Sequence, residues 1–388
     1  MVRHNRYTVD VRRELTAVPS LTGIRGVTAI WVALHHMQMP AAKLLLLPLV
    51  ASSTFLANGY RGVDLFFILL GFILMRASGR DFTELTWSSA YRFGLARFFR
   101  IYPLNTVIML VMVPLVLLAP GYVAFSRAYI ETEEAYKLHN LSWPGFMQSI
   151  LLVQTFTLAK LGEWNGPSWS LSAELLGYLM FSLMAFVLLR QKSALVCNVG
   201  AALCLVLLTC AMIAGHHANS NPTGIFGAVR MIFCFTAGML AHRAVEVGRP
   251  IGPRTGSLLT IAAIWFIAAI LFVPRFTMLE PFGFALLIVG LVHKAGPVDW
   301  ILRSRLFLWL GSISFSFYMV QETLFRVFLW AFEPELELIS LSERWLAFGA
   351  MIVSFFMIAW TLFVLVEKPS HRFGRRLADR LRAPNRTV

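Results

Sequence analysis

Long apolar segments separated by short polar loops recur along the entire chain. Most of them approach the roughly 20 residues that an α-helix needs to cross a hydrocarbon core about 30 Å thick. The pattern therefore predicts an all-α fold, a polytopic membrane protein with about ten transmembrane helices. These helices are expected near residues 21–39, 62–77, 104–119, 169–190, 194–214, 223–243, 257–274, 279–293, 306–332 and 345–366.

The amphipathic segment 146–160 decides the topology. If it does not span, most Lys and Arg residues fall on the same side of the membrane as both termini, as the positive-inside rule requires of the cytoplasm. If it spans, the basic tail 367–388 moves outside. We therefore interpret 146–160 as an interfacial or re-entrant helix and predict that both termini are cytoplasmic. The acidic loops 131–136 and 333–338 then face outward.

Composition agrees with one membrane domain. The 388 residues are 58% hydrophobic and only 14% charged, which is more apolar surface than a soluble domain hides. We divide the chain into a cytoplasmic N-terminal segment, 1–20, a transmembrane domain, 21–366, and a basic cytoplasmic tail, 367–388. The net charge of +14 follows from the positive-inside bias, so we expect no nucleic-acid partner. The four cysteines lack metal-binding spacing, so we expect no metal site.

An arginine and a histidine share one face of the first predicted helix. Arg25 and His36 are eleven residues apart, which places them within roughly 20° around an ideal helix and about 16 Å apart along its axis. His35 points about 80° away from Arg25. Because ionisable side chains are costly in lipid, those that occur there mark functional sites. The phase of the helix therefore favours His36 over His35 as the functional residue.

Further charges lie inside apolar segments. Asp64 begins the second span at a depth where it could orient the His36 ring, although an interfacial cap is the alternative. Glu174 lies one turn into the fourth span, as a candidate general base or ligand of a hydroxylated substrate. Arg230 in the sixth span needs a partner, for which Glu174 is one candidate. Structural or substrate-contacting residues near Glu174 are Trp169, Ser172 and Tyr178.

Two arginines precede the third span, in the stretch RFFRIYPL. Arg97 and Arg100 are three residues apart on one helical face, with aromatic residues between and after them. Paired guanidinium groups with aromatic neighbours suit phosphates and a purine ring. Ordinary positive-inside anchoring explains the same pattern.

Six motifs together carry a family resemblance. From residue 21 to residue 373 they are, in order, LTGIRGVTAIWVALHH, GYRGVDLFFILLGFIL, RFFRIYPL, PSWSLSAELLGY, GSISFSFYMVQ and VEKPSHRF. The chain resembles the acyltransferase 3 family of bacterial integral-membrane O-acyltransferases. That family's arginine and histidine with ten residues between them match Arg25 and His36. Its arginine pair matches Arg97 and Arg100, and its W-S-L-S-x-E ends here at Glu174. Two departures are Leu70, where the family usually has serine, and Gln321, where histidine is frequent.

The resemblance implies transfer of an acyl group, most simply acetyl, from acyl-CoA to a hydroxyl of a cell-surface or exported glycan or of another hydroxylated acceptor. Acetyl-CoA or another acyl-CoA would be a co-substrate, with no tightly bound cofactor, and a homo-oligomer is compatible with the sequence. The CoA phosphates would bind Arg25, Arg97 and Arg100. His36 would act as general base or as nucleophile, oriented by Asp64, and Glu174 would hold or deprotonate the acceptor hydroxyl.

A transporter or lipid-linked sugar flippase is the alternative function. In that interpretation the intramembrane charges form a proton or substrate relay. It does not account for the RFFRIYP cluster beside the membrane.

Overall fold

Helices occupy all ten segments in which the sequence predicts a span. The computed structural model describes residues 18–119, 121–122, 124, 141–157, 164–217, 221–294 and 296–381. The acidic loop 131–136, most of the N-terminal segment 1–20 and the last residues of the tail lie outside the described residues. The longer helices are α1 (Pro19–Leu44), α2 (Gly62–Ser78), α3 (Trp87–Leu118), α4 (Trp143–Leu151), α5 (Ser168–Leu188), α6 (Ala194–Ala214), α7 (Gly224–Val247), α8 (Pro253–Leu271), α9 (Glu280–Val292), α10 (Arg305–Leu338), α11 (Leu341–Leu362) and α12 (Lys368–Arg380).

Seven helices in the described part of the chain are long and apolar enough to cross a membrane. The number rises to eight if Phe276–Val292 and Gly296–Leu302, which meet at 84°, form one broken span. Helices α1 and α10 are long, at 26 and 34 residues, but fall outside this apolar set. They are also the helices that carry Arg25, His36 and Gln321. A total of about ten spans therefore stays a prediction.

The described part of segment 146–160 does not span. Helix α4 has nine residues, so it rises only about 13.5 Å, less than half of a hydrocarbon core. Ser142 caps its start by accepting a hydrogen bond from the backbone N–H of Gly145 (3.1 Å). Leu152, with φ of 56°, ends it, and a 3₁₀ turn over Gln154–Phe156 follows. A helix too short to span agrees with the charge pattern, which predicts an interfacial or re-entrant helix for this segment.

Glycines let two pairs of helices pack backbone against backbone. A Cβ at Gly71 of α2 would meet the backbone carbonyl of Phe235, and a Cβ at Gly238 of α7 would meet that of Ile68. On α1 and α10 the same holds for Gly311, which faces the carbonyl of Thr22. Small residues at helix crossings are the usual means of close packing in membranes, where there is no hydrophobic drive between helices.

The last two helices form one long rod. A capping box at Ser340 and Glu343 starts α11, with the Glu343 carboxylate accepting from the Ser340 N–H (2.9 Å). A π-helical turn, Phe363–Glu367, joins α11 to α12. The predicted tail 367–388 is therefore helical as far as Arg380, and α12 packs against α3.

Candidate functional site

A cavity of about 490 Å³ brings together five of the predicted site residues. We call it the large cavity; its volume is in the range of small-molecule sites in proteins. The five residues come from three helices that are far apart in sequence, α1, α3 and α5. They are Arg25, Arg97, Arg100, Glu174 and Tyr178.

The lining of the large cavity is net positive. Arg375 of α12 joins the three predicted arginines, and two carboxylates, Glu174 and Glu367, face them. His371, also on α12, completes the set of titratable side chains from that helix. With four guanidinium groups against two carboxylates, the cavity is suited to an anionic ligand.

Arg100 is held by a buried carboxylate that the sequence analysis did not single out. Glu367, at the end of the π-helical turn, forms an ion pair with the Arg100 guanidinium. The other Glu367 oxygen, Oε2, accepts a hydrogen bond from Ser316 Oγ (2.6 Å). The guanidinium also lies 4.6 Å from the centroid of the Phe315 ring. These contacts fix the direction in which Arg100 presents its remaining N–H groups.

Arg97 is positioned by aromatic rings. Its guanidinium carbon lies 5.5 Å from the Phe93 ring centroid and 5.9 Å from that of Tyr178. Its buried Nε has no hydrogen-bond partner among the described residues. Within the same part of the chain, no carboxylate forms an ion pair with Arg97 or with Arg25. Both guanidinium groups therefore keep their charge available for a bound anion.

Glu174 lies with the arginines, and this corrects its expected depth. The predicted topology and the expected role on the acceptor hydroxyl place it on the outer side. In the structure it lines the large cavity and accepts a hydrogen bond from the Tyr178 hydroxyl, one turn further along α5. The reason is that α5 enters the bundle at Ser168, so its second turn already reaches the level of the cavity.

His36 lines a second, much smaller pocket of about 20 Å³, enough for about one water molecule. Tyr60 and Trp169 form other parts of its wall. Val63 and Tyr318 line both this small pocket and the large cavity. The two spaces are therefore neighbours.

Gln321 is the hydrogen-bond partner of His36. Its Nε2 lies 2.7 Å from His36 Nδ1, and its own Oε1 is buried with no partner among the described residues. With the amide nitrogen towards the ring, Nδ1 accepts and the imidazole proton is on Nε2. With the amide turned, Nδ1–H donates to Oε1, and the Nε2 lone pair is left open. The orientation of the Gln321 amide and the tautomer of His36 are therefore coupled.

His35 lines neither cavity. Its Nδ1 lies 3.1 Å from the backbone carbonyl of Leu56, and its ring packs against Tyr60. Helix α1 is α-helical throughout, with no π-bulge between residues 25 and 36. The expected phase therefore holds, and Arg25 and His36 face the two cavities while His35 faces a loop.

Asp64 does not contact His36, and this corrects the expected pair. Its Oδ1 accepts from Arg230 Nε (2.8 Å), and both side chains are almost fully buried. Arg230 Nη1 also donates to Asn221 Oδ1 (2.7 Å). Asp64 lies one turn before Ile68 and two turns before Gly71, and both of these residues contact α7. Its side chain therefore turns towards α7, and the partner of Arg230 is Asp64 instead of Glu174.

The two remaining predicted residues have different positions. Trp169 lines the small pocket, with the Arg230 guanidinium 5.4 Å from its ring centroid. Ser172 lines neither cavity. Its hydroxyl accepts from the backbone N–H of Thr155 (3.0 Å) and lies 2.7 Å from the Thr155 hydroxyl, so it anchors the turn after α4.

The residues at the site that were missed as functional candidates include Gln321, Glu367, His371 and Arg375, and also Glu322, which lines the small pocket with His36. Glu367 carried the same signal as Glu174, a charge at the end of an apolar span. His371 and Arg375 are four residues apart on a helix rich in arginine, which resembled ordinary positive-inside charge. Gln321 was noted only as a departure from the family's frequent histidine, and only the fold shows that it lies beside His36.

A positively lined cavity inside a bundle of apolar helices, with a histidine in the small pocket beside it, defines a membrane protein with a buried site for an anionic ligand. The chain belongs to a family of acyltransferases, because the family model described as an acyltransferase domain matches residues 18–364. It is therefore a membrane acyltransferase.

Two relatives are similar over long stretches. "Acyltransferase MdmB" of Streptomyces mycarofaciens is 30% identical over 331 residues, which cover 80% of this chain and 79% of the relative. "Protein 2 in picA locus" of Rhizobium radiobacter is 29% identical over 194 residues, 48% of this chain and 92% of that protein. No solved structure gives a significant match.

Proposed function

We propose that this protein transfers an acyl group, most simply acetyl, from acyl-CoA to a hydroxyl of a cell-surface or exported glycan. The observation that carries this proposal is the pair of adjoining spaces. One is large and net positive, and the other is small and holds His36. An acyl-CoA has the same two parts, an anionic nucleotide and a reactive thioester at the end of a narrow arm.

The donor would bind with its phosphates on Arg25, Arg97 and Arg100. Its pantetheine arm would pass Val63 and Tyr318, the residues common to both spaces, and bring the thioester to His36. In this proposal Glu174 contributes to binding the donor instead of the acceptor hydroxyl. By accepting from the Tyr178 hydroxyl, it fixes the ring on which Arg97 lies.

His36 would act as general base or as nucleophile. As base, Nε2 takes the proton of the acceptor hydroxyl while the oxygen attacks the thioester carbonyl. The C–O bond forms, the C–S bond breaks, and the proton passes to the departing sulfur to give free CoA. As nucleophile, His36 Nε2 attacks the thioester carbonyl, so that an N–C bond forms, the C–S bond breaks and the CoA thiolate leaves. The acceptor hydroxyl then attacks the acyl-imidazole, the C–O bond forms as the N–C bond breaks, and the hydroxyl proton passes to the thiolate to give free CoA. Both routes use the tautomer in which Gln321 Oε1 accepts from Nδ1–H, so Gln321 replaces Asp64 as the residue that orients the ring.

The proposed topology has about ten spans in the inner membrane, with both termini cytoplasmic. It places the end of the large cavity that α12 lines on the side where CoA is found. His36 would lie about 16 Å from Arg25 along α1, nearer the outer surface, where an exported glycan would arrive. This arrangement is supported by the distribution of Lys and Arg in the loops.

The donor site is tested by the affinity for acetyl-CoA. Arg25→Ala and Arg97→Ala should each weaken it about ten- to a hundredfold, since a charge-assisted phosphate contact contributes about 1.5–3 kcal/mol. Arg100→Ala is less informative, because it leaves the buried Glu367 carboxylate without its partner. Arg80→Ala is the matched control, as Arg80 is exposed and outside the cavity. Equal affinities in Arg25→Ala, Arg97→Ala and Arg80→Ala would contradict the donor site.

A further inference from the structure

Helix α12 presents two separate sets of basic side chains. His371 and Arg375, one turn apart, line the large cavity. The four other basic residues of the helix are exposed on a different face, and they are Lys368, Arg372, Arg376 and Arg380. The residues matched by the family model end at residue 364, so α12 lies beyond them.

The position of α12 is fixed by packing on α3. A Cβ at Gly374 would meet the side chain of Phe99, and the Phe373 ring lies edge-on to the Phe99 ring at 5.1 Å between centroids. Ala378 is buried one turn further along. Helix α3 also carries Arg97 and Arg100. Because α3 carries Arg97 and Arg100 and also holds α12 in place, the fold sets the distance between Arg375 and this arginine pair.

Arg375 lies at the end of the large cavity that is remote from His36. The hydrogen bond between Ser316 and Glu367 sets α10 level with the start of α12. Gln321, the partner of His36, is five residues from Ser316 in one direction, about 7.5 Å. Helices α10 and α11 are antiparallel, since only residues 339–340 join them. Arg375, eight residues past Glu367, therefore lies about 12 Å away in the opposite direction.

We propose that Arg375, assisted by His371, binds the ribose 3′-phosphate of the CoA donor. This inference rests on the proposed function. An acyl-CoA whose thioester reaches His36 has its diphosphate in the middle of the molecule and its 3′-phosphate at the far end. Arg25, Arg97 and Arg100 are placed for the diphosphate. The outermost phosphate then requires a cation roughly 20 Å from the level of His36 along the bundle, where α12 supplies Arg375. A guanidinium fork suits a phosphate monoester, which offers several acceptor oxygens.

The test compares acetyl-CoA with 3′-dephospho-acetyl-CoA as ligands of the full-length protein purified in detergent. Arg375→Gln should weaken acetyl-CoA binding about ten- to a hundredfold and leave 3′-dephospho-acetyl-CoA binding unchanged. Arg376→Gln is the matched control: it removes the same charge from the neighbouring, exposed position and should change neither affinity. His371→Ala should show the same selective loss to a smaller degree, which provides a second variant if Arg375→Gln folds poorly.

The possible failures are distinguishable. If Arg375→Gln weakens both ligands equally, or neither, the 3′-phosphate subsite is wrong while the donor site stands. If Arg376→Gln weakens acetyl-CoA as much as Arg375→Gln does, the effect is general attraction by a basic helix, and the subsite is again wrong. If the unchanged protein binds neither ligand, the proposed function fails and the subsite fails with it.

Discussion

Two adjacent histidines in the second half of α1, His35 and His36, have different environments. His36 lines the small pocket and contacts Gln321, whereas His35 is tied to the backbone of Leu56 and packs on Tyr60. The difference follows from the 100° step between neighbouring residues of an α-helix, which turns one ring towards the cavities and the other towards a loop.

Replacing each histidine separately tests this assignment. His36→Ala should abolish acyl transfer while the protein still inserts and still binds acetyl-CoA, because the proposed site for the donor phosphates is the large cavity, which His36 does not line. His35→Ala should retain much of the activity. The measurement is transfer of labelled acetyl from acetyl-CoA to isolated cell-surface glycan, with expression checked for both variants. An active His36→Ala protein would refute the catalytic assignment, and an inactive but folded His35→Ala protein would show that the second ring is also required.

At the same scale, the sequence predicts which residues are buried at a site better than it predicts their partners. Five of the predicted site residues line the large cavity and two, His36 and Trp169, line the small pocket. The partners of Asp64 and His36 were not predictable from depth alone, because they depend on which neighbouring helix each face meets. Gly71 lies on the face of α2 that carries Asp64, and Gly238 lies on the face of α7 that carries Arg230. These glycines, where the two helices approach each other closely, were the available sequence signal for the ion pair.

Among the helices, α2 and α7 depend on close packing at two glycines. Gly238→Ala places a methyl group against the Ile68 carbonyl and should destabilise the protein by about 1–3 kcal/mol, the usual cost of overpacking. Gly349→Ala in α11 is the control, since no described atom lies within 4 Å of the point that a Cβ would occupy there. It should be neutral or stabilising by up to about 1 kcal/mol through helix propensity.

The measurement for these glycines is thermal unfolding of each variant in the same detergent. A Gly238→Ala protein as stable as Gly349→Ala would show that the α2–α7 interface has room to separate. The apolar pattern predicts both helices within a few residues of their ends, but not that they pack on each other. The apolar pattern also does not predict that α12 continues α11 and lines the cavity. Helix α12 is positioned by the contact of Gly374 with Phe99 of α3, and it has no apolar, lipid-facing surface of its own that the pattern could show.

For the molecule as a whole, the proposed topology makes a prediction of its own. Both termini should be cytoplasmic, and the loop near residue 130 should be outside, since the positively charged loops then share the cytoplasmic side. Reporter fusions at residue 388 and near residue 130 measure this directly. A reporter at residue 388 that is active only outside would contradict the topology and would put the basic cavity on the side that lacks CoA.

The choice between a transferase and a transporter is settled by chemistry in the absence of a membrane gradient. The protein purified in detergent should transfer labelled acetyl from acetyl-CoA to isolated cell-surface glycan, release one free CoA for each ester formed, and lose this activity in His36→Ala. Detergent solution has no two compartments, so transport cannot produce that signal. Failure to bind or consume acetyl-CoA in detergent, together with gradient-driven movement of a sugar or lipid-linked sugar by the same protein in vesicles, would contradict the proposed function.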